Sequence, residues 1–215
     1  MKPSTVLLTS RVRPIMKRPK CATASRVGKG RPQQQVSSAI LRKVARTMLP
    51  FYQAIASRPA YAAKWSAAVV DADLDSMKKL LSEVSAELGR LAYGTNGIGY
   101  FITFGFRGSD YGYTNGTTIP PGTVQFKFQT NVHRRLARAV IPYYRALAYR
   151  PAYREAVVRS IRDGHSDHLE RIVRSKVKSS ALKSVQVESS GTALTFKYRS
   201  SKYAYRNLLF LEGVL

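Results

Sequence analysis

The stretch LPFYQAIASRPAY, from Leu49 to Tyr61, returns 92 residues later as IPYYRALAYRPAY, from Ile141 to Tyr153. Eight of the thirteen positions are identical, and three more exchange one apolar or aromatic residue for a similar one. The same offset places ITFGF (102–106) on LTFKY (194–198). A single offset over so many positions indicates an internal duplication, which decides the fold.

Each copy predicts helices followed by strands. Apolar residues recur at helical spacing in SSAILRKVARTM (37–48) and in NVHRRLARAVI (131–141). Pro50 and Pro142 then predict a kink or a restart of the helix, because proline lacks a backbone donor. Two further helices are expected in each copy before the strands begin. The helical part of each copy is therefore predicted to hold three helices.

Strand signals come from short segments rich in aromatic and β-branched residues. They are GYFITFGF (99–106), GTVQFKFQT (122–130), SVQVES (184–189), TALTFKYRS (192–200) and YRNLLFLEG (205–213). The segment RGSDYGYTNGTTIPPG (107–122) is rich in Gly, Thr and Pro and predicts a long loop. The predicted fold is α+β, with a three-helix and small antiparallel sheet unit at 37–130 and again at 131–215. A basic extended arm is expected at 1–36.

Charge gives the strongest functional signal. The chain has 36 Lys and Arg against 12 Asp and Glu, a net charge of +24. Residues 1–36 hold nine basic residues and no acid, residues 48–97 are neutral, and residues 131–215 hold 17 basic against six acidic residues. Such an excess repels itself in a compact chain, so it indicates a polyanionic partner. Nucleic acid is the commonest such partner, and anionic membrane surfaces and acidic proteins are the others.

The counts predict phosphate contacts from two parts of the chain. The predicted residues are Arg11, Arg13, Lys17, Arg18, Lys20, Arg26, Lys29 and Arg31 in the arm, and Arg134, Arg135, Arg138 and Arg145 in the second copy. Arg134, Arg138 and Arg145 fall on one helical face. Between the copies, Gln53 has become Arg145, Ala62 has become Arg154 and Lys79 has become Arg171. These three positions are expected to face solvent.

Aromatic residues in the strands have two interpretations: they pack on the helices of their own unit, or they stack on bases as in single-strand binders. Packing on the helices is the preferred interpretation. Four tyrosines fall in the polar segments SDYGYTNG and SSKYAYRN and are predicted to meet a neighbouring subunit or a base. They are Tyr111, Tyr113, Tyr203 and Tyr205.

Metal and catalytic patterns are weak. DADLD (71–75) resembles the opening of an EF-hand loop, but Ser76 and Ser82 stand where that loop needs glycine and glutamate. Helix capping is the better interpretation of these acids, and of DGHSDH (163–168) at the equivalent place. Three histidines, one cysteine and no GxSxG, HExxH or CxxC motif predict a protein that is not an enzyme and needs no metal or other cofactor.

Two functional hypotheses follow. The first is a non-enzymatic structural protein that packages or scaffolds nucleic acid, DNA or RNA, through phosphate contacts with little sequence reading. The second is a self-assembling coat or filament subunit of a virion or other particle, whose arm and tyrosines contact neighbouring copies in a homo-oligomer. No apolar run reaches the roughly 18 residues of a membrane span. An intracellular location or a nucleoprotein particle is expected, although the composition of 1–36 also fits a mitochondrial leader.

Overall fold

A computed structural model describes residues 36–106, 109 and 111–213. The predicted arm contacts from Arg11 to Arg31, and the alternative of a mitochondrial leader, lie outside these residues. Val36, the last residue of the predicted arm, is buried, and its carbonyl accepts a hydrogen bond of 3.0 Å from Nε of Arg162. The described chain therefore enters the core at once.

Six helices form two groups of three, as predicted. They are α1 (Ser38–Ser57), α2 (Pro59–Val70) and α3 (Leu74–Val84) in repeat one, and α4 (Thr130–Tyr149), α5 (Pro151–Arg162) and α6 (Ser166–Arg174) in repeat two. We use repeat one for residues 37–130 and repeat two for residues 131–213. Pro59 and Pro151 begin α2 and α5, where the missing proline N–H costs nothing.

Helices α1 and α4 do not restart at their prolines. Pro50 and Pro142 lie inside continuous helices, so of the two predicted outcomes, a kink or a restart, the restart is wrong. The residues on both sides of each proline are buried in the core, Met48 and Tyr52 around the first of them. Burial of one apolar stripe along the whole helix outweighs the loss of one backbone hydrogen bond.

Six strands form one antiparallel sheet in the order β1-β2-β3-β6-β5-β4. They are β1 (Ala92–Thr95), β2 (Gly99–Gly105), β3 (Tyr111–Thr118), β4 (Leu182–Glu188), β5 (Gly191–Phe196) and β6 (Tyr205–Gly213). Each repeat supplies three strands, and the two halves meet where β3 pairs with β6. The α+β prediction is confirmed, and the two small sheets are one continuous sheet.

Two predictions about the strands of repeat one are wrong. The segment 122–130, read as a strand, contains no strand, and its Phe126 is 71% exposed. The predicted loop at 107–122 instead contains β3, a central strand of the sheet. Its Gly and Thr residues are tolerated there because neighbouring strands approach closely. A Cβ on Gly116 would lie 2.2 Å from the carbonyl oxygen of Tyr100.

The 92-residue offset holds through the whole sheet and defines a pseudo-twofold relation between the repeats. It places Asn115 of β3 on Asn207 of β6, and Tyr52 of α1 on Tyr144 of α4. These four side chains are buried and close a ring of hydrogen bonds at the seam. The Tyr52 hydroxyl donates to Asn115 Oδ1 (2.8 Å), and Asn115 Nδ2 donates to the Tyr144 hydroxyl (2.6 Å). The Tyr144 hydroxyl in turn donates to Asn207 Oδ1 (2.9 Å), and Asn207 Nδ2 donates back to the Tyr52 hydroxyl (2.8 Å).

The helices pack on one face of the sheet. Contacts between the layers include the ring at the seam and the edge-to-face contact of Trp65 with Tyr100, whose centroids are 5.1 Å apart. Phe104 and Phe196, equivalent in the two repeats, are also buried on this face. The preferred interpretation of the strand aromatics, packing on their own helices, is thus confirmed for these residues. The opposite face bears Phe101, Leu208 and Phe210, which are partly exposed.

Candidate nucleic-acid interface

Two grooves lie side by side on the surface of repeat two. The first, about 390 Å³, is lined by Arg135, Arg138, Ala139, Pro142, Lys176, Lys178, Ser179 and Tyr198. The second, about 470 Å³, is lined by Arg135, Ser180, Ala181, Lys183, Lys197, Tyr198 and Arg199. Together they present seven different Lys and Arg side chains and no carboxylate. We refer to the two together as the basic groove.

Arg135 and Tyr198 line both grooves. The Arg135 guanidinium lies 4.6 Å from the centroid of the Tyr198 ring, a cation–π contact, and its Nη1 donates a hydrogen bond of 3.1 Å to Oγ of Ser200. Tyr198 is buried, and this burial raises the pKa of its hydroxyl to about 12, against a smaller lowering by Ser179 and Arg135. The phenol is therefore neutral at physiological pH and adds no negative charge to the groove.

The loop after β5 shapes the far side of the basic groove. Nζ of Lys197 donates to the carbonyl oxygens of Ser201 (2.7 Å) and Lys202 (2.6 Å), which ties the loop to the strand. Tyr203 follows, with Nζ of Lys202 at 6.0 Å and Nζ of Lys127 at 5.6 Å from its ring centroid. Positive charge thus continues from the basic groove to the segment that precedes α4.

The equivalent surface of repeat one has the same fold but carries different charges. The positions equivalent to Lys176, Lys178, Lys183 and Lys197 hold Val84, Ala86, Leu91 and Gly105. Lys43, equivalent to Arg135, forms an ion pair with Glu87, and Glu87 is replaced by Ser179 in repeat two. Arg46 and Arg107 keep the charge of Arg138 and Arg199, so relative to repeat one the groove of repeat two has gained four cations and lost one carboxylate.

The predicted helix residues of repeat two fall into two groups. Arg135 and Arg145 are exposed, and Arg135 lines the basic groove. Arg134 and Arg138 each donate through Nη2 to the carbonyl oxygen of Ala56, at 3.3 and 3.2 Å. These two guanidiniums satisfy a carbonyl in the last turn of α1 and complement its helix dipole. They therefore also hold the repeats together, and Arg138 still reaches the groove.

Arg154 contradicts the expectation that the new basic residues face solvent. Its side chain is only 7% exposed, and it donates hydrogen bonds to Oγ of Ser38 (2.7 Å) and to the carbonyl oxygen of Leu147 (2.8 Å). The expectation failed because an arginine can satisfy buried acceptors that alanine, present at Ala62, cannot. The expectation of exposure is confirmed for Arg145 and Arg171.

The four tyrosines predicted to contact a neighbouring subunit or a base also fall into two groups, one buried and one at least partly exposed. Tyr113 and Tyr205, equivalent in the two repeats, are buried in β3 and β6, so their placement in polar loops is wrong. The Tyr113 hydroxyl donates to the carbonyl oxygen of Ser190 (3.1 Å), and the Tyr205 hydroxyl accepts from the backbone N–H of Gln129 (2.8 Å). Tyr111 is 38% exposed, and Tyr203 is partly exposed near two lysines.

Sequence reasoning missed most of the basic groove. The missed residues are Lys176, Lys178, Lys183, Lys197 and Arg199 in the groove, and Lys127 and Lys202 beside it. They come from three separated segments, which the sheet and α6 bring together. One signal was present: for Lys176, Lys178, Lys183 and Lys197, subtracting 92 gives an uncharged residue of repeat one that a cation has replaced.

No metal centre is evident in the described part of the chain. It contains no cluster of three or more His, Cys, Asp or Glu side chains suited to a metal ion. Asp73 accepts a hydrogen bond of 2.9 Å from the backbone N–H of Ser76, which confirms its role as the N-cap of α3. This hydrogen bonding to Ser76 lowers the pKa of Asp73.

His133 is the one histidine buried completely among the described residues. Its Nε2 lies 3.1 Å from the hydroxyl of Tyr100, and the rings of Phe51 and Phe128 are close by. Burial lowers the pKa of His133 to about 3, so the imidazole is neutral at physiological pH. In repeat one the equivalent residue is Leu41, which indicates that this position belongs to the core.

Comparison with protein-family models, with curated proteins and with solved structures finds no match to this chain. Within the ranges 36–106 and 111–213, no helix is both long and apolar enough to cross a membrane. The functional argument therefore rests on the charge and geometry of the basic groove.

Proposed function

We propose that this protein is a non-enzymatic structural protein that binds nucleic acid through phosphate contacts in the basic groove. One observation carries the proposal: seven Lys and Arg side chains line the two grooves without a carboxylate, and four of these cations stand where repeat one has an uncharged residue. Cations held this close together repel one another. A polyanion that occupies the groove relieves that repulsion and releases its own counterions.

The identity of the cations supports phosphate binding with little sequence reading. Lys178, Lys183 and Arg199 are exposed, and their side chains form no hydrogen bond or ion pair with any described residue. Flexible ammonium groups follow a backbone of repeating charge without selecting a base sequence. Packaging or scaffolding a long nucleic acid is the activity that such a surface serves best.

The proposal is tested by charge reversal with a charge-matched control. The groove variant carries Lys178→Glu, Lys183→Glu and Arg199→Glu, and the control carries Lys64→Glu, Lys78→Glu and Lys79→Glu. The control residues are exposed lysines of repeat one, so both variants lose the same net charge. Affinity for single-stranded RNA and for duplex DNA is measured by fluorescence anisotropy at near-physiological salt.

The groove variant is expected to lose at least about tenfold in affinity, while the control changes little, because counterion release follows the phosphates that are contacted. Equal losses in both variants would mean that net charge alone matters. Unchanged binding in the groove variant would remove the basic groove from the account.

The second candidate is a self-assembling subunit, and a different observation favours it. The sheet face opposite the helices bears Phe101, Leu208 and Phe210, which are partly exposed. Packing of this face against another copy would bury them. Sedimentation of nuclease-treated protein tests the idea: large particles that lose their size in a Leu208→Lys variant would support assembly through the sheet, and a monomer of about 24 kDa would contradict it.

A further inference from the structure

Phe126 is the most exposed large apolar side chain of the described residues, at 71%. It lies between β3 and α4, next to Lys127. Its backbone has φ +47°, in the left-handed region that bulky residues rarely adopt and that costs about 1 kcal/mol or more. Exposure of a phenyl ring and a strained backbone are both unfavourable for an isolated chain. Their coincidence at one residue points to a function for the ring.

The ring is held in place by the backbone beneath it. Gly97, at φ +73°, forms the turn between β1 and β2, and a Cβ on this glycine would lie 3.0 Å from Cδ1 of Phe126. The absence of a side chain at Gly97 therefore lets one side of the ring rest on the turn. The ring is thus held on one side and remains largely open to solvent.

The residue that follows Phe126, Lys127, lies beside a second aromatic ring and another cation. Lys127 carries its ammonium 5.6 Å from the ring centroid of Tyr203, and the ammonium of Lys202 lies 6.0 Å from the same centroid. The carbonyl oxygen of Lys202 accepts a hydrogen bond from Lys197, which lines the basic groove. A continuous path of basic side chains therefore joins Phe126 to that groove.

We infer that the basic groove binds single-stranded nucleic acid and that Phe126 stacks on one of its bases, an inference that rests on the proposed function. A flat apolar ring beside a row of cations is the arrangement by which single-strand binders hold a base and its phosphates together. Bases of a duplex are already stacked on one another and offer no free face to such a ring. The structure thus favours single-stranded RNA or DNA over a duplex.

The decisive probes have equal charge and differ only in their bases. We would compare an oligothymidylate of about 20 nucleotides, a length that spans one binding site, with an abasic oligomer of the same length. Oligouridylate of that length separates RNA from DNA. In Phe126→Ala the Cβ remains, so the backbone strain is unchanged and the stacking ring alone is lost. Phe126→Trp restores a ring.

Tyr149→Ala is the matched control, because Tyr149 is also an exposed aromatic residue, at 60%. It ends α4, a helix about 30 Å long, whereas Phe126 precedes the start of that helix. Phe126→Ala is expected to weaken binding of oligothymidylate at least about fivefold, the loss of one stacked base, and to change abasic binding less than about twofold. Phe126→Trp should restore the affinity, and Tyr149→Ala should leave it unchanged.

Several results would overturn the inference. Equal effects of Phe126→Ala on both oligomers would exclude base stacking while leaving phosphate binding intact. Unchanged nucleic-acid binding with loss of self-association in sedimentation would assign Phe126 to a contact with a second copy. If the unmodified protein bound neither oligomer at near-physiological salt, the inference and the proposed function would both fail.

Discussion

Lys43 and Glu87 form an ion pair on the surface of repeat one, and repeat two does not preserve it. The equivalent residues are Arg135 and Ser179, and the Arg135 guanidinium lies over the ring of Tyr198 instead. The two repeats thus share one fold but differ in whether this cation has a carboxylate partner. In the first the cation is neutralised within the chain, and in the second it remains available to an external anion.

This relationship predicts the effect of Ser179→Glu. The new carboxylate stands where Glu87 stands in repeat one, so it should pair with Arg135 and reduce the affinity for single-stranded RNA. The slope of log K against log salt should become shallower by about 0.7 for each phosphate that the groove no longer neutralises on a single strand. Anisotropy titrations over a salt series measure this. Glu87→Ser is the control, which leaves the basic groove unaltered and should not reduce the affinity.

A second prediction concerns the hydrogen-bonded ring at the seam. Tyr52→Phe leaves Asn115 Oδ1 without its donor and removes one acceptor of Asn207 Nδ2, so it should lower the free energy of unfolding by about 1–3 kcal/mol. Tyr144→Phe should cost a similar amount, and the two changes should couple by at least about 0.5 kcal/mol because they share partners. Urea unfolding measures both effects.

Tyr143→Phe is the control for the ring. Tyr143 is buried beside Tyr144, and its hydroxyl has a single hydrogen-bond partner, Oγ1 of Thr192 at 3.4 Å. Its removal should cost less than either change in the ring. Additive effects of Tyr52→Phe and Tyr144→Phe would show that the four side chains do not act as a unit.

A third prediction is a dependence of stability on pH through His133. Its pKa is about 3 in the folded chain and about 6.5 when unfolded, so the unfolded chain binds more protons between these values. The contribution of His133 to the free energy of unfolding is therefore fully present above pH 6.5. It is lost as the pH falls toward 3, by about 1.4 kcal/mol for each pH unit. Between pH 7 and 5 the loss from this residue should be about 2 kcal/mol.

His133→Leu isolates that contribution, because leucine already occupies the equivalent core position at Leu41. Urea unfolding at pH 7 and at pH 5 measures how far the free energy of unfolding falls over this range. The fall should be about 2 kcal/mol smaller in the variant than in the unmodified protein. Carboxylates and other histidines contribute equally to both proteins. Identical losses would mean that His133 accepts a proton in the folded state.

A fourth prediction separates the buried arginine from the exposed ones. Arg154→Ala leaves the carbonyl oxygen of Leu147 without this donor, so it should cost about 1.5–3 kcal/mol of stability. Its affinity for nucleic acid should not change under conditions in which the variant is folded. Arg145→Ala, at an exposed position with no described partner, should stay within about 0.5 kcal/mol of the unmodified protein. Chemical unfolding measures the stability of the two variants, and fluorescence anisotropy measures their affinity for nucleic acid.

The fold could be predicted well where periodicity is strong. The apolar stripes of α1 and α4, and the aromatic and β-branched composition of β2, β5 and β6, indicated the correct element types. Strand β3 was missed because its sequence, YGYTNGTT, has the composition of a loop. Its place between β2 and β6 comes from close strand packing, as at Gly116, which no local propensity reveals.

The candidate site was only partly predictable. Net charge and its concentration in repeat two are properties of the sequence. They indicated that repeat two is the more basic half of the molecule. Which cations share a groove depends on how α6, β5 and the start of α4 come together. The buried position of Arg154 and the anchoring of Arg134 and Arg138 on Ala56 also depend on tertiary packing.

The most direct test of the central claim is the salt dependence of binding to single-stranded RNA. The unmodified protein should show a steep log–log slope and keep its binding near physiological salt, while the variant with Lys178, Lys183 and Arg199 changed to Glu should lose about two units of slope. The repeat-one control with Lys64, Lys78 and Lys79 changed to Glu should keep the original slope. A shallow slope in the unmodified protein, or the same slope in all three, would contradict the claim that the basic groove binds phosphates.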